Sequence, residues 1–474
     1  MTVEPVAVDK VLQWTGGSVL QRGSARSVTS VSTDSRTLRA GACFVALAGE
    51  RFDGHDFAAD AAARGAAAVL VRRDKPVPVP PGVWVISVED TAAALGRIAG
   101  GYRRMFDIPV AAVTGSNGKT TTKEMAARIL SAMGPVLKTE KNYNNEIGVP
   151  LTLLGLERGH RAAVVEMGMR GPGQIAALAE IARPTVGVVT NVGPVHMEFF
   201  RSVEDVARAK AELVEALESD GFAVLNADDP RVRAMRRLTR ARVVTFGLDP
   251  RADVGAERVE HRGLEGSRFI LRWPDQRVPV MVKLPGRHQV HNALAAAAVA
   301  WCLGLDARAV QQGLIDVRTE MRMALRRLGA DVLLIDDAYN ASPLSVRAAL
   351  ESLGDVRGRR RVAVLGGMLE LGDLAESAHR EMGRTAVKAG VDFLVAVGTE
   401  ARWILDEAIR SGLDPGRALW FEDAARAAEA APEWSAAGDV ILVKGSRGFR
   451  LEIVSAALVS HFGERVESEA EESL

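Results

Sequence analysis

The chain has 474 residues, too many for one ordinary hydrophobic core, so two to four domains are expected. Hydrophobic residues make up 47% and charged residues 25%, and no apolar run is long enough to cross a bilayer, which speaks against a membrane protein. Lys plus Arg and Asp plus Glu both number 60, so no overall basic field points to nucleic acid, and any anionic ligand must be met locally. Two cysteines, Cys43 and Cys302, are too few for a disulfide framework or a zinc site. The segment MTVEPVAVDKV lacks the basic-then-apolar pattern of a leader, and a cytoplasmic location is expected.

Residues 1 to about 105 mix short β-type runs with an alanine-rich helical pattern from Phe57 to Ala68, as in a small α/β domain. From 106 to 317, apolar runs alternate with helical patterns: IPVAAV, RAAVVEMG, PTVGVVTNV, GFAVLNADD and ARVVTFG. Such alternation predicts a parallel sheet covered by helices, closed by a helix from Asn292 to Leu303. From 318 to 474 it restarts with DVLLIDDAYN, RRVAVLGGM, VDFLVAVG, RALWFED and DVILVKGSRG, five strand candidates of a second doubly wound domain. From about 463 the chain is rich in Glu and Ser, with disorder expected.

The stretch VTGSNGKTTT, Val113 to Thr122, lies between the strand IPVAAV and a helical pattern carried by Met125, Ile129 and Met133. Gly115 and Gly118 allow the backbone to curl so that amide groups point inward, and the following helix adds positive potential towards an anion. Lys119 would reach terminal phosphates, and Thr120 could offer its hydroxyl to a phosphate-bound magnesium. Where the usual phosphate loop begins with Gly, this one has Val113. Further along, KTEKNYNNEIGVPLTLL brings Asn142, Asn144 and Asn145 into a polar loop, and Glu166 ends an apolar strand, where parallel sheets place ligands. His196 follows another strand, and Lys210 lies in a helical stretch.

Together these segments resemble the Mur ligases, ATP-dependent amide-forming enzymes of peptidoglycan synthesis. The resemblance covers nearly the whole chain: TGSNGKTTT, the EMG at Glu166, TNVGPVH, the AK at Lys210, GRHQVHNALAAA and the RTEMR ending in Arg322. It implies a three-domain α/β architecture with a small N-terminal UDP-sugar domain, a central P-loop ATPase-type sheet and a C-terminal Rossmann-like domain. Within the family, NYNNEIGVPLTLL, DDAYNASPLS and LGGMLELGDLAESAH look most like the last cytoplasmic member, which acts on UDP-N-acetylmuramoyl-tripeptide and D-alanyl-D-alanine.

The resemblance implies that the γ-phosphoryl group of ATP activates a peptide carboxylate as an acyl phosphate, which an amine then attacks. Gly115, Asn117, Gly118, Lys119, Thr120 and Thr121 would hold the nucleotide. Thr120 and Glu166 would hold a first magnesium ion; His196 and a carbamate on Lys210 would serve a second. An ammonium would repel the ion, so Lys210 must first be neutral, which burial or nearby cations would favour. Asn292 matches a family residue that contacts adenine, while Gln289 stands where the family has asparagine. Arg322 would swing onto the phosphates, and Asp337, or else Asp336, would bind ribose or orient Arg322. Asn142, Asn144, Asn145, Tyr339, Asn340, Lys444 and Arg447 would face substrate, as would Ser35 and Arg36 in the N-terminal domain. Gly367 replaces an aspartate usual in the family. The chain is expected to act as a monomer, without nucleic acid or membrane insertion. A sister ligase that adds the third peptide residue usually carries a DNPR-like signature, absent from this sequence. Folylpolyglutamate synthase would lack the N-terminal pattern, and a regulator without chemistry would not need Lys119, Glu166, His196 and Lys210 together.

Overall fold

Three β-sheets succeed one another along the chain in the computed structural model, which describes residues 1–49, 52–315, 317 and 322–465. The first has six strands in the order Thr2–Ala7, Ser27–Ser32, Ala42–Val45, Ala68–Arg72, Trp84–Val88 and Ser18–Gln21. Its four inner strands run parallel, and both edge strands pair antiparallel. The helix expected over Phe57 to Ala68 is shorter. It spans Ala58–Ala63 and stops because Gly65, at φ 88°, turns the chain into the strand from Ala68.

The helix Thr91–Arg103 joins the first two domains. Asp90 caps it by accepting from the Ala92 and Ala93 N–H groups. It packs on the N-terminal helix Val8–Thr15 and on Gly148–Leu153 and Gln174–Ala182 of the middle domain. Close approach to Trp14 is possible because residue 101 is glycine; a Cβ there would overlap the indole. The Tyr102 hydroxyl accepts from the Glu4 N–H and donates to the Leu156 carbonyl, each at 2.8 Å. Arg103 donates to the carbonyls of Ala182, Phe106 and Ile108. One hydrophobic core therefore runs without a break from Val3 through Tyr102 to Leu225.

The middle sheet has nine strands. Val110–Thr114 sits inside it between Val186–Val189 and Ala162–Glu166, so its C-terminal end is a point where strand order reverses, the usual ligand position in such sheets. Residues 248–291 had no assigned strand in the sequence reading. They supply Val254–His261, Ser267–Arg272 and Arg277–Val282, the last two antiparallel, as an extension of that sheet.

The third sheet carries the five expected parallel strands, preceded by an antiparallel edge strand Ala324–Arg327. Apolar clusters cover both of its faces. Near the start of the acidic tail Glu464 bridges to Leu328 and pairs with Arg326 at 2.9 Å. The remainder of the acidic tail lies outside the described residues.

Tyr102→Phe leaves a half-buried N–H and a buried carbonyl without their shared partner. It is expected to destabilise the protein by about 1–3 kcal/mol, read as a lower denaturant midpoint with nucleotide binding to the folded protein unchanged.

Candidate active site

The loop after Val110–Thr114 takes its shape from two glycines. Gly115 has φ 149° and Gly118 has φ 81°, and a Cβ would overlap the Thr190 hydroxyl at the first and the Asn292 carboxamide oxygen at the second. The segment following Val186–Val189 wraps the loop. The Ser116 N–H donates to the Asn191 carbonyl at 2.9 Å, and the Asn117 N–H donates to Asn191 Oδ1 at 2.9 Å. The Asn117 carbonyl accepts from Thr190 Oγ1 at 2.6 Å. Asn117 Nδ2 is buried without a hydrogen-bond partner, a preplaced donor of the kind an anion would satisfy.

Lys119 opens the helix Lys119–Leu130 and donates to the carbonyls of Gly115 and Ser116 at 2.8 and 3.3 Å. Burial lowers its pKa, Arg322 adds to that, and Glu166 opposes it. Thr120 Oγ1 donates to Glu166 Oε2 and Asn144 Nδ2 to Glu166 Oε1, both at 2.8 Å. Thr121 is buried in the same helical turn. Burial by itself would raise the Glu166 pKa. The charges of Arg322 and Lys119 and the bonds from Asn144 and Thr120 outweigh it, and the carboxyl is held below its ordinary value.

Lys210 lies on the helix Val203–Glu215 and is 2% exposed. Burial first and the neighbouring Lys119 second push its pKa well below that of a free lysine. Among the described residues no carboxylate lies within ion-pair distance of it. His196 is left-handed, at φ 57°, and its Nδ1 bonds to Glu370 of the C-terminal domain.

Asn292 is buried; its Oδ1 accepts from Thr122 Oγ1 at 3.4 Å and its Nδ2 donates to Gln289 Oε1 at 2.8 Å. Gln289, which departs from the family's asparagine, thus anchors Asn292 against the loop. Gly367 departs for a steric reason: a side chain there would run into the ring of Phe449.

Arg322 stacks on Tyr339, with its guanidinium carbon 4.5 Å from the ring centroid, and its charge reaches Glu166 and Lys119. Asp337 Oδ1 accepts from the Met323 N–H at 3.2 Å and Oδ2 from Lys444 Nζ at 2.6 Å, which anchors the segment that carries Arg322. Lys444 also donates to the Asn340 carbonyl and is 2% exposed. A substrate-facing Lys444 is therefore corrected to a buried counter-charge, because Asp337 holds its ammonium inside the domain. Asp336 points to the opposite face of its strand, is buried there, and has its pKa raised by burial; the nucleotide role expected of it does not fit.

Among the polar-loop residues only Asn144 reaches Glu166; Asn145 Oδ1 caps the next helix by accepting from the Gly148 N–H at 2.9 Å, and Asn142 is exposed. Arg447 is exposed and pairs with Glu452 at 3.2 Å. Ser35 is buried, and Arg36 extends into solvent, held by a two-pronged pair with Asp34. The residues that sequence reasoning missed, Thr190, Asn191, Ser342 and Glu370, all lie within motifs it had singled out. Ser342 Oγ, in DDAYNASPLS, donates to Asn117 Oδ1 at 2.9 Å across the domain boundary.

Comparison with known proteins gives three adjoining family matches: "Mur ligase family, catalytic domain" over residues 27–103, "Mur ligase middle domain" over 113–300 and "Mur ligase, glutamate ligase domain" over 321–447. The chain is 40% identical to a UDP-N-acetylmuramoyl-tripeptide--D-alanyl-D-alanine ligase from Synechocystis, covering 91% of this chain and 92% of the relative. It is 39% identical to the enzyme of that name from Escherichia coli, over 81% and 84%. Among solved structures, MurF from Acinetobacter baumannii aligns with a TM-score of 0.87 at 32% identity, covering 97% of this chain and all of that one. MurF from Thermotoga maritima in complex with ADP aligns at 0.80 and 31% identity, over 91% and 97%.

Gly118→Ala must either shift Asn292 or distort a turn that requires φ 81°. The expected result is an ATP dissociation constant about tenfold higher or more, measured by calorimetry, with an unchanged circular dichroism spectrum.

Proposed function

The chain belongs to the Mur ligase family, and from that premise we infer that it joins D-alanyl-D-alanine to UDP-N-acetylmuramoyl-tripeptide at the expense of ATP, giving the UDP-muramoyl-pentapeptide of peptidoglycan synthesis. The observation that carries this reading is Glu166, an ionised carboxylate buried between Lys119, Arg322, Thr120 and Asn144 beside a phosphate loop. The similarity to ligases of that activity extends over most of both chains.

A magnesium ion suits Thr120 and Glu166, which offer a hydroxyl and a carboxylate 2.8 Å apart. Among the described residues no three His, Cys, Asp or Glu side chains converge into a cage, as befits an ion held mainly through nucleotide phosphates. Bound there, magnesium would neutralise charge on the β- and γ-phosphates. His196 and Lys210 would serve a second ion once Lys210 carries a carbamate. Carbon dioxide adds to the neutral amine and a proton is released. A buried lysine with a depressed pKa and no carboxylate partner among the described residues is suited to that reaction.

In the first step an oxygen of the tripeptide carboxylate attacks the γ-phosphorus, the bond to the β-phosphate oxygen breaks, and ADP leaves. Lys119 and Arg322 stabilise the transferring group by charge, and the loop amides fix its position. The dipeptide amine then attacks the acyl carbon, phosphate departs, and the ammonium proton is lost to solvent. Asn292 and Gln289 position the nucleotide side of the cleft, and the Tyr339 ring supports the Arg322 guanidinium. No helix of the described residues is long and apolar enough to cross a membrane.

The decisive assay is phosphate release from ATP with the UDP-muramoyl-tripeptide and either D-alanyl-D-alanine or single amino acids, with product masses recorded. Dipeptide-dependent release with a pentapeptide product is expected; release only with a single amino acid would move the chain to a sister ligase, and none with either would sink the enzymatic reading. Lys210→Arg puts a permanent cation in place of the neutral amine and blocks the carbamate. It is expected to lower kcat about a hundredfold or more, and labelled bicarbonate should give a carbamate resonance in the parent that Lys210→Arg lacks.

A further inference from the structure

The loop that carries His196 is gripped by one loop of the C-terminal domain. His196 and Glu370 are both left-handed, at φ 57° and 62°, a conformation that residues other than glycine adopt uncommonly and that clusters at functional sites. They face each other: His196 Nδ1 bonds to one carboxylate oxygen of Glu370, and Arg170 Nε lies 3.3 Å from the other. The Glu198 N–H donates to the Glu370 carbonyl at 3.4 Å. Gly372, at φ 53°, lets the same loop lie over the Met197 carbonyl. His196 and Glu370 side chains are each 26% exposed, at the seam between domains.

A carboxylate accepting at Nδ1 places the proton of the neutral imidazole on that nitrogen, the tautomer in which the other ring nitrogen offers a lone pair. Histidines that bind metals are commonly held in this way, and loss of the carboxylate lowers metal affinity about 10- to 100-fold. The difference here is that the carboxylate belongs to another domain, one with its own core. We propose that Glu370 is a positioning residue for His196, fixing the tautomer and orientation of the imidazole from across the domain seam, so that His196 becomes a competent cation ligand only when the C-terminal domain is closed. This rests on the reading of His196 as a ligand of a second ion. By linkage, cation binding and closure then favour each other by the same factor. An open enzyme holding ATP lacks its second cation site, and phosphoryl transfer waits for the domain that completes the site.

The test measures manganese binding to the protein loaded with a nonhydrolysable ATP analogue and the UDP-muramoyl-tripeptide, by electron paramagnetic resonance, with small-angle scattering on the same samples. The parent is expected to show two sites. In Glu370→Ala the weaker site should lose affinity about 10- to 100-fold while the tighter one stays within about twofold. Glu370→Gln keeps an acceptor oxygen without the charge, guards against a folding artefact, and should show a smaller loss at the same site. Two sites both indifferent to Glu370→Ala and Glu370→Gln would overturn the proposal, and a shift of scattering towards an open form without a change at the weaker site would leave Glu370 as a latch only and overturn it too. A single site in the parent would remove the second-ion reading itself, and this proposal with it.

Discussion

The site depends on keeping one buried carboxylate ionised. Taking a carboxylate out of water costs several kcal/mol even after relaxation, roughly, unless opposite charge and hydrogen bonds replace the lost hydration. Glu166 receives two hydrogen bonds and two cationic neighbours. Thr120, Asn144 and Lys119 belong to the middle domain, but Arg322 arrives on the C-terminal segment. The electrostatic balance of Glu166 is therefore shared between two domains, and removing the C-terminal domain from the cleft takes away the charge of Arg322. Asp337 and Lys444 then acquire their meaning. A buried ion pair deep in the C-terminal domain fixes the backbone from which Arg322 reaches out, so the cation that crosses the seam is delivered from a rigid base.

The distribution of apolar contacts divides the molecule in the same place. The N-terminal and middle domains share a continuous core through the helix Thr91–Arg103, sealed by Tyr102 and Arg103. The C-terminal sheet has its own apolar clusters on both faces. Several of its contacts with the middle domain are polar: Ser342 on Asn117, Glu370 on His196 and Arg170, Asp355 on Arg287. A seam with many polar contacts is separated and rewetted more easily than a continuous hydrophobic core, so hinge motion is expected at the second boundary and rigidity at the first.

Much of this was legible in the sequence for a local reason. A glycine-bracketed lysine between an apolar strand and a helical pattern specifies its own geometry, and Glu166 at the end of a strand inherits its position from the sheet. What stayed hidden depended on long-range contact. DD at 336 and 337 gives no hint of which carboxylate faces the cleft, because alternation along a strand sends them to opposite sides and only the packed sheet decides which is which. Lys444 reads as a free cation in VKGSRG until Asp337, more than a hundred residues away in sequence, is placed against it. Asn145 looks like its neighbour Asn144, yet one caps a helix and the other holds Glu166. The antiparallel strands from Val254 to Val282 escaped because their exposed faces are crowded with arginine and glutamate, which masks the apolar alternation of an edge. Gln289 and Gly367 looked like losses against the family pattern; the first is taken up by Asn292, and the space beside the second by Phe449.

An unsatisfied buried donor and two left-handed residues sit at the same seam. Asn117 Nδ2 is buried and unpaired, while its oxygen already holds Ser342 from the opposing domain. An orphaned donor of this kind costs about 1–3 kcal/mol, and two left-handed residues facing each other add a similar strain. An acyl phosphate must be protected from water until the amine arrives, which requires a cleft that closes over its substrates and still reopens. The unpaired donor of Asn117 and the left-handed pair His196 and Glu370 therefore lie where a bound ligand and the C-terminal domain would meet.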